Sequence, residues 1–221
     1  MRIVVVSPHF DDAVLSCWTL IDSGADVTVL TVFTEGPQQA GFVADWDADT
    51  GVDSSTRMRR RADENRAALA LAGAGPVDLG ALEGIYGGGG VDRDELRPHL
   101  TGADAVYVPA GVGVEHVNRE HVVVRDACLA VRPDCSLYAD QPYSLFRDDT
   151  EPPPGLAPGL DRRVASLAPE LRSRKARAIA AYAGEIGKLE RAFGPITEPD
   201  RLGYEVFWLA SPGVYPRVTA V

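Results

Sequence analysis

Arg2-Ile3-Val4-Val5-Val6-Ser7-Pro8-His9-Phe10-Asp11-Asp12 opens the chain and decides how it folds. Ile3–Val6 is an apolar run without alternation, the pattern of a strand buried on both faces. Directly behind it stand one imidazole and two adjacent carboxylates. A core strand has no use for such groups, and burying them without partners costs several kcal/mol. In an open α/β sheet the carboxyl ends of the strands are where ligands bind. The stretch therefore reads as one central strand followed by one site.

Working outward, Ala13–Ser23 reads as a helix ended by Gly24, and Asp26–Phe33 as a second strand. Two buried strands around a helix make a βαβ unit with a right-handed crossover. Further helices are predicted over Arg57–Ala72, Asp92–Leu100 and Glu120–Val131, and one long charged helix over Arg172–Phe193. Strands are predicted at Val77–Leu79, Ala105–Pro109, Ser136–Tyr138 and Tyr204–Ala210. Residues 35–56 form a long irregular stretch in which Phe42 and Trp46 either line a pocket or anchor the loop. Gly87–Gly90 lacks the Lys-Ser/Thr of a phosphate loop and reads as a flexible connector; the Pro- and Gly-rich residues 148–159 read as a surface loop. The expected fold is α/β and Rossmann-like, a mostly parallel sheet with helices on both faces, in a single domain over residues 1–221.

Composition narrows the function classes. With 45% hydrophobic and 24% charged residues in 221, the chain has the make-up of an ordinary globular protein. A net charge of −10 argues against bulk nucleic-acid binding. No apolar run approaches the ~20 residues of a membrane span. The N-terminus enters the first strand without a secretory signal. The expectation is a cytoplasmic protein acting on a small molecule, with apolar positions on Arg172–Phe193 leaving a homo-oligomer open. Cys17, Cys128 and Cys135 have neither zinc-knuckle nor redox-pair spacing and are expected to be buried free thiols.

His9 and Asp12, on one tight turn, can offer a zinc ion one nitrogen and one oxygen; a catalytic zinc site takes three protein ligands and keeps one position open. The chain has four histidines to supply a third. His99 follows a proline at a helix end and belongs on the surface. His116 and His121 both follow the Ala105–Pro109 strand and so share the sheet edge of His9. Asp11 is left over, suited to take a proton from an activated water and hand it to a leaving amine. The plain alternative is that Asp12 only caps the next helix. The competing class, a Rossmann-like nucleotide-binding module, lacks a Gly-x-Gly-x-x-Gly after the first strand, and carboxylates at the helix start would repel phosphate.

Pro8-His9-Phe10-Asp11-Asp12 resembles the Pro-His-x-Asp-Asp signature of the PIG-L/LmbE-like zinc-dependent N-deacetylases. Thr31–Pro37, Arg61-Ala-Asp-Glu64, Tyr138-Ala-Asp-Gln-Pro-Tyr143 and the Lys175 to Tyr182 segment are similar to family segments in the same order. The resemblance implies removal of an N-acyl group, usually acetyl, from an amino sugar, glycoside or related metabolite, in specialised-metabolite or antibiotic biosynthesis. It implies Zn2+ held by His9, Asp12 and His121, with Asp11 as general base. It also suggests Arg61 at the substrate, with a salt bridge to Glu64 or another acid as its alternative, Tyr143 near the pocket or in core packing, and Asp140 orienting a ligand histidine. The chain departs from the family where Asn118-Arg119-Glu120-His121 stands for His-x-Asp-His. Either His116 takes over from the missing histidine or Asn118 donates a hydrogen bond to the oxyanion. Two alternatives follow: an amidase acting on a bulkier conjugate, or a catalytically impaired zinc-binding relative.

Overall fold

The computed structural model describes residues 1–112, 114, 118–146, 156, 159–198 and 201–210. In chain order its elements begin with β1 (Arg2–Ser7), α1 (Asp12–Ser16), α2 (Trp18–Ile21), β2 (Asp26–Glu35), α3 (Ser54–Ala70) and β3 (Gly75–Leu82). Then come α4 (Arg93–Leu100), β4 (Ala105–Pro109), α5 (Glu120–Val131) and β5 (Ser136–Tyr138). The chain continues with β6 (Asp161–Ser166), α6 (Pro169–Ile179), α7 (Ala183–Phe193) and β7 (Tyr204–Leu209). Among the described residues the strands form one sheet in the order β3-β2-β1-β4-β5-β7-β6. The first five run parallel, and β7 is antiparallel to both β5 and β6.

The period of two along β1 divides the core. Ile3 and Val5 face a layer built with α1, α2, α3, α6 and α7, including Leu20, Met58, Ile179 and Leu189. Val4 and Val6 face the opposite layer, where Leu96 and Leu100 of α4 pack with Val124 and Cys128 of α5. This is the expected α/β sheet with helices on both faces. Strand order reverses direction between β1 and β4, so the crevice of the sheet opens at their carboxyl ends. All three cysteines are buried and free, as expected. No described helix is long and apolar enough to cross a membrane.

Two predicted helices are broken, each by a long-range contact. The Ala13–Ser23 helix divides at Cys17. Glu205 of β7 is fully buried and accepts hydrogen bonds from the backbone N–H of Trp18 (2.8 Å) and Thr19 (2.9 Å) and from Thr19 Oγ1 (2.6 Å). Those donors begin a second helix instead of continuing the first. The predicted Arg172–Phe193 helix divides between Ile179 and Ala183. At the break the Tyr182 hydroxyl lies 2.8 Å from Asn65 Oδ1 and 3.1 Å from the carbonyl of Phe10, and α7 turns back toward α3. Strand β6 was not anticipated; it is an edge strand with Arg162, Arg163 and Val164 exposed, so no apolar pattern announces it. Most of the predicted 148–159 loop lies outside the described residues.

Gly87–Gly90 is not a flexible connector. The turn closes with the Gly89 N–H donating to the Leu82 carbonyl (2.8 Å), and Gly87 and Gly89 have φ of 92° and 94°. At Gly88 a Cβ would sit 2.0 Å from the Leu82 carbonyl oxygen, while at Gly90 it would meet nothing within 4 Å. Backbone cannot rotate away as a side chain can. Gly88→Ala is therefore expected to destabilise the fold by roughly 1–3 kcal/mol, and Gly90→Ala to leave it near wild type. Equal urea midpoints for the two variants would refute this account of the turn.

Candidate metal and hydrolytic site

The loop after β1 and the segments after β4 and β5 meet at the crevice. His9, Asp12 and His121 each present one ligand atom there, all within 4.8 Å of one another. His9 Nδ1 lies 3.1 Å from Asp12 Oδ2, and His121 Nε2 lies 3.5 Å from the same oxygen. Asp12 is not spent as a helix cap. Its Oδ2 accepts from the His9 backbone N–H (2.8 Å), and the capping position of α1 is held by Asp11, whose side chain makes no cap bond.

His121, at the first turn of α5, is fully buried. Its Nδ1 lies 2.7 Å from Asp140 Oδ1, and Asp140 Oδ2 accepts from the N–H of Gly111 (2.7 Å) and Val112 (3.1 Å). In the neutral ring Asp140 favours the tautomer with the proton on Nδ1, and Nε2 faces Asp12. That Nε2 has no hydrogen-bond partner among the described residues. An orphaned buried imidazole nitrogen is costly unless something else satisfies it. Two nitrogens, one of them this orphan, and one carboxylate oxygen fit a zinc ion by donor chemistry.

The electrostatics separate the two adjacent aspartates. Burial pushes the Asp11 carboxyl up, helped by the negative charges of Asp12 and Glu185, to about 7. For Asp12 burial acts upward too, but His121 and His9 beside it hold the group down at about 2. One carboxylate is kept ionised; the other is poised where a proton can come and go.

The cleft around these groups has a volume of about 450 Å³. Asp11, Arg61, Asn118 and Tyr143 line it with the two residues His9 and Asp12, and Trp46, Ile85 and Phe193 give it apolar walls. His121 is buried beside these residues, its ring edge-on to Tyr143 at 5.3 Å between centroids. Asn118 Nδ2 donates to the Tyr143 hydroxyl over 3.5 Å, and Asn118 Oδ1 accepts from the Glu120 N–H over 3.3 Å. His116 lies outside the described residues. His99 sits on α4, away from the cluster.

Arg61 reaches the cleft wall but is held by acids other than Glu64. Its Nε donates to Glu185 (2.8 Å) and its Nη1 to Glu83 (3.3 Å), with Asp47 at 3.8 Å. Glu64 pairs with Arg57 instead. Trp46 both lines the cleft and is anchored, through Nε1 to Glu185 Oε2 at 3.0 Å. Phe42 packs against Tyr86 and anchors only. Glu83, Glu120 and Glu185 are site members that the sequence reading missed. Glu120 had shown itself only as a departure from a family pattern, and the other two sit in segments with no motif.

Neither a family model nor a curated protein sequence matches the chain. Solved structures do. The zinc-inhibited form of the teicoplanin deacetylase Orf2 is 26% identical with a TM-score of 0.75, over 94% of this chain and 97% of that one. The A40926 pseudoaglycone deacetylase Dbv21 is 27% identical with a TM-score of 0.73, over 94% and 96%. The N,N'-diacetylchitobiose deacetylase from Pyrococcus horikoshii shares the fold at 12% identity, with a TM-score of 0.61 over 99% and 86%.

Proposed function

We propose that this chain, PIG-L/LmbE-like in its sequence motifs and in its fold, is a zinc-dependent N-deacetylase that removes an acetyl or related acyl group from an amino sugar or its glycoside. The observation that carries the reading is the juxtaposition of the His9/Asp12/His121 donor set, its buried orphan nitrogen and the separately poised Asp11. The solved relatives at 26% and 27% identity are deacetylases, one of them described in a zinc-inhibited form.

His9, Asp12 and His121 would hold the metal, and Asp140 would keep the His121 ring in place. Bound there, zinc supplies Lewis-acid chemistry, polarising the acyl carbonyl and making a water more acidic. Asp11 takes the proton from the attacking water as its oxygen bonds to the acyl carbon. The same carboxyl then gives that proton to the nitrogen as the C–N bond breaks, releasing a carboxylic acid and an amine. Asn118 Nδ2 and the Tyr143 hydroxyl stand on the cleft wall as donors for the developing oxyanion. Arg61, ion-paired to Glu185 and Glu83, shapes the wall that the substrate meets.

Protein purified without chelator should carry about one zinc per chain and release free amine from N-acetylated aminoglycosides. Removing the metal should abolish that release and adding zinc should restore it. A chain with no zinc, unchanged after zinc is added, would overturn the hydrolase reading. Zinc retention without turnover over a broad panel would instead favour the catalytically impaired relative. The apolar walls at Trp46, Ile85 and Phe193 make bulky conjugates part of that panel.

A further inference from the structure

The two metal-ligand histidines proposed above are held in opposite senses. His121 gives its Nδ1 to a carboxylate, Asp140, and keeps Nε2 for the cluster. His9 has the reverse arrangement: Nδ1 faces Asp12, and Nε2 lies 3.0 Å from Glu120 Oε2. We infer that Glu120 is a positioning residue for His9. Its carboxylate accepts a hydrogen bond from Nε2–H, fixes the ring plane and commits Nδ1 to the metal.

The structure supports Glu120 from behind. Its second oxygen, Oε1, accepts the backbone N–H of Gly84 at 2.6 Å. A Cβ on Gly84 would lie 3.1 Å from that oxygen, and one on Gly89 would lie 3.8 Å from it. The glycine-rich turn after β3 therefore has a purpose that its composition did not announce: it brings bare backbone against Glu120. The His9 ring is also stacked on Phe33, with centroids 5.7 Å apart and planes at 25°. One face of the ring is thus set by packing and its rotation by Glu120. Glu83 stands a further step away, 3.8 Å from Nε2 and tied to Arg61, too far for a hydrogen bond. The departure of this chain at residue 120 thereby acquires a physical role that does not depend on a histidine at 118.

The inference rests on the zinc reading, and its test separates the two. Zinc affinity would be measured by chelator competition on the loaded full-length chain. Glu120→Ala should weaken it roughly 10–100-fold. Glu120→Asp, one methylene short, should behave nearly as badly. Glu120→Gln keeps one oxygen acceptor at the same reach, at the expense of the Gly84 N–H bond, and should recover part of the loss, which a purely structural role would not require. In 1H–15N spectra of the loaded protein, the His9 Nε2–H signal should broaden or vanish in Glu120→Ala while the His121 Nδ1–H signal stays. If Glu120→Ala does not fold, Gly84→Ala, which crowds the carboxylate, should lower zinc affinity in the same direction. Unchanged affinity with an unchanged His9 signal overturns the inference, as does a second wild-type zinc that is lost in Glu120→Gln. Absence of zinc from the wild-type chain would overturn the metal reading instead.

Discussion

Asp11→Asn is expected to lower kcat/KM for amide hydrolysis roughly 100- to 10,000-fold, the usual contribution of a positioned general acid–base group, while zinc content stays at the wild-type level. The substitution is nearly isosteric, and the Asp11 side chain makes no capping bond that α1 would lose. Burial and the charges of Asp12 and Glu185 already disfavour its ionised form, so a neutral amide should leave the melting temperature unchanged or raise it. Stability and catalysis should move in different directions, which separates a lost proton carrier from a damaged fold. The sign of the pH dependence follows from the same geometry. The base works only when ionised, so wild-type kcat/KM should fall as the pH drops through the Asp11 pKa. Burial and the charges of Asp12 and Glu185 raise that carboxyl to about 7 against the opposing charge of His9. A bound cation at Asp12 favours the carboxylate, so the acid limb should lie at or below 7, and the residual activity of Asp11→Asn should lack it. Loss of zinc in the variant, or undiminished turnover, would remove Asp11 from the role.

How much of this was legible in the sequence depended on how local the cause was. Ala105–Pro109, Glu120–Val131 and Ser136–Tyr138 match the structure residue for residue, because each is an apolar run or helical pattern with its own boundaries. His9 and Asp12 were legible because they directly follow such a run, whereas position alone left His116 and His121 both open, and the choice of His121, like the role of Asp140, came from the resemblance. The breaks at Cys17 and at Ala180–Tyr182 were not. Their causes lie 187 residues away at Glu205 and 117 residues away at Asn65, and no local window contains them. Arg61 was ambiguous for the same reason, since Glu185 pairs with it across 124 residues. Gly87–Gly90 looked slack because glycine composition does not distinguish freedom from close approach, and only the Leu82 carbonyl decides.

Loss of the buried pair Lys175–Glu205 should have the largest effect on stability. The two side chains are fully buried, with Lys175 Nζ 2.8 Å from Glu205 Oε1. Lys175 is one of two lysines in the chain. Lys175→Met keeps most of the aliphatic volume but leaves a carboxylate in the core without its counter-charge, an arrangement that costs about 3–5 kcal/mol. Glu205→Leu should cost more. It strands the ammonium and also removes the acceptor of the Trp18 and Thr19 N–H groups that start α2. The double variant Lys175→Met with Glu205→Gln separates the causes. The introduced side-chain amide is uncharged, and its one oxygen can still accept from the Thr19 N–H and hydroxyl, so the double variant should be more stable than Lys175→Met alone even though the Trp18 N–H loses its acceptor. Urea unfolding of the three proteins would read this ordering. A Lys175→Met protein within about 1 kcal/mol of wild type would mean that the core already solvates the carboxylate through its three other donors. The consequence extends to the site. Glu205 holds the start of α2, and Gln141, which accepts from Lys175 Nζ at 3.4 Å, precedes Pro142 and Tyr143 on the cleft wall. A pair that no substrate touches thus sets the frame in which Asp11, Asp12 and Tyr143 face one another.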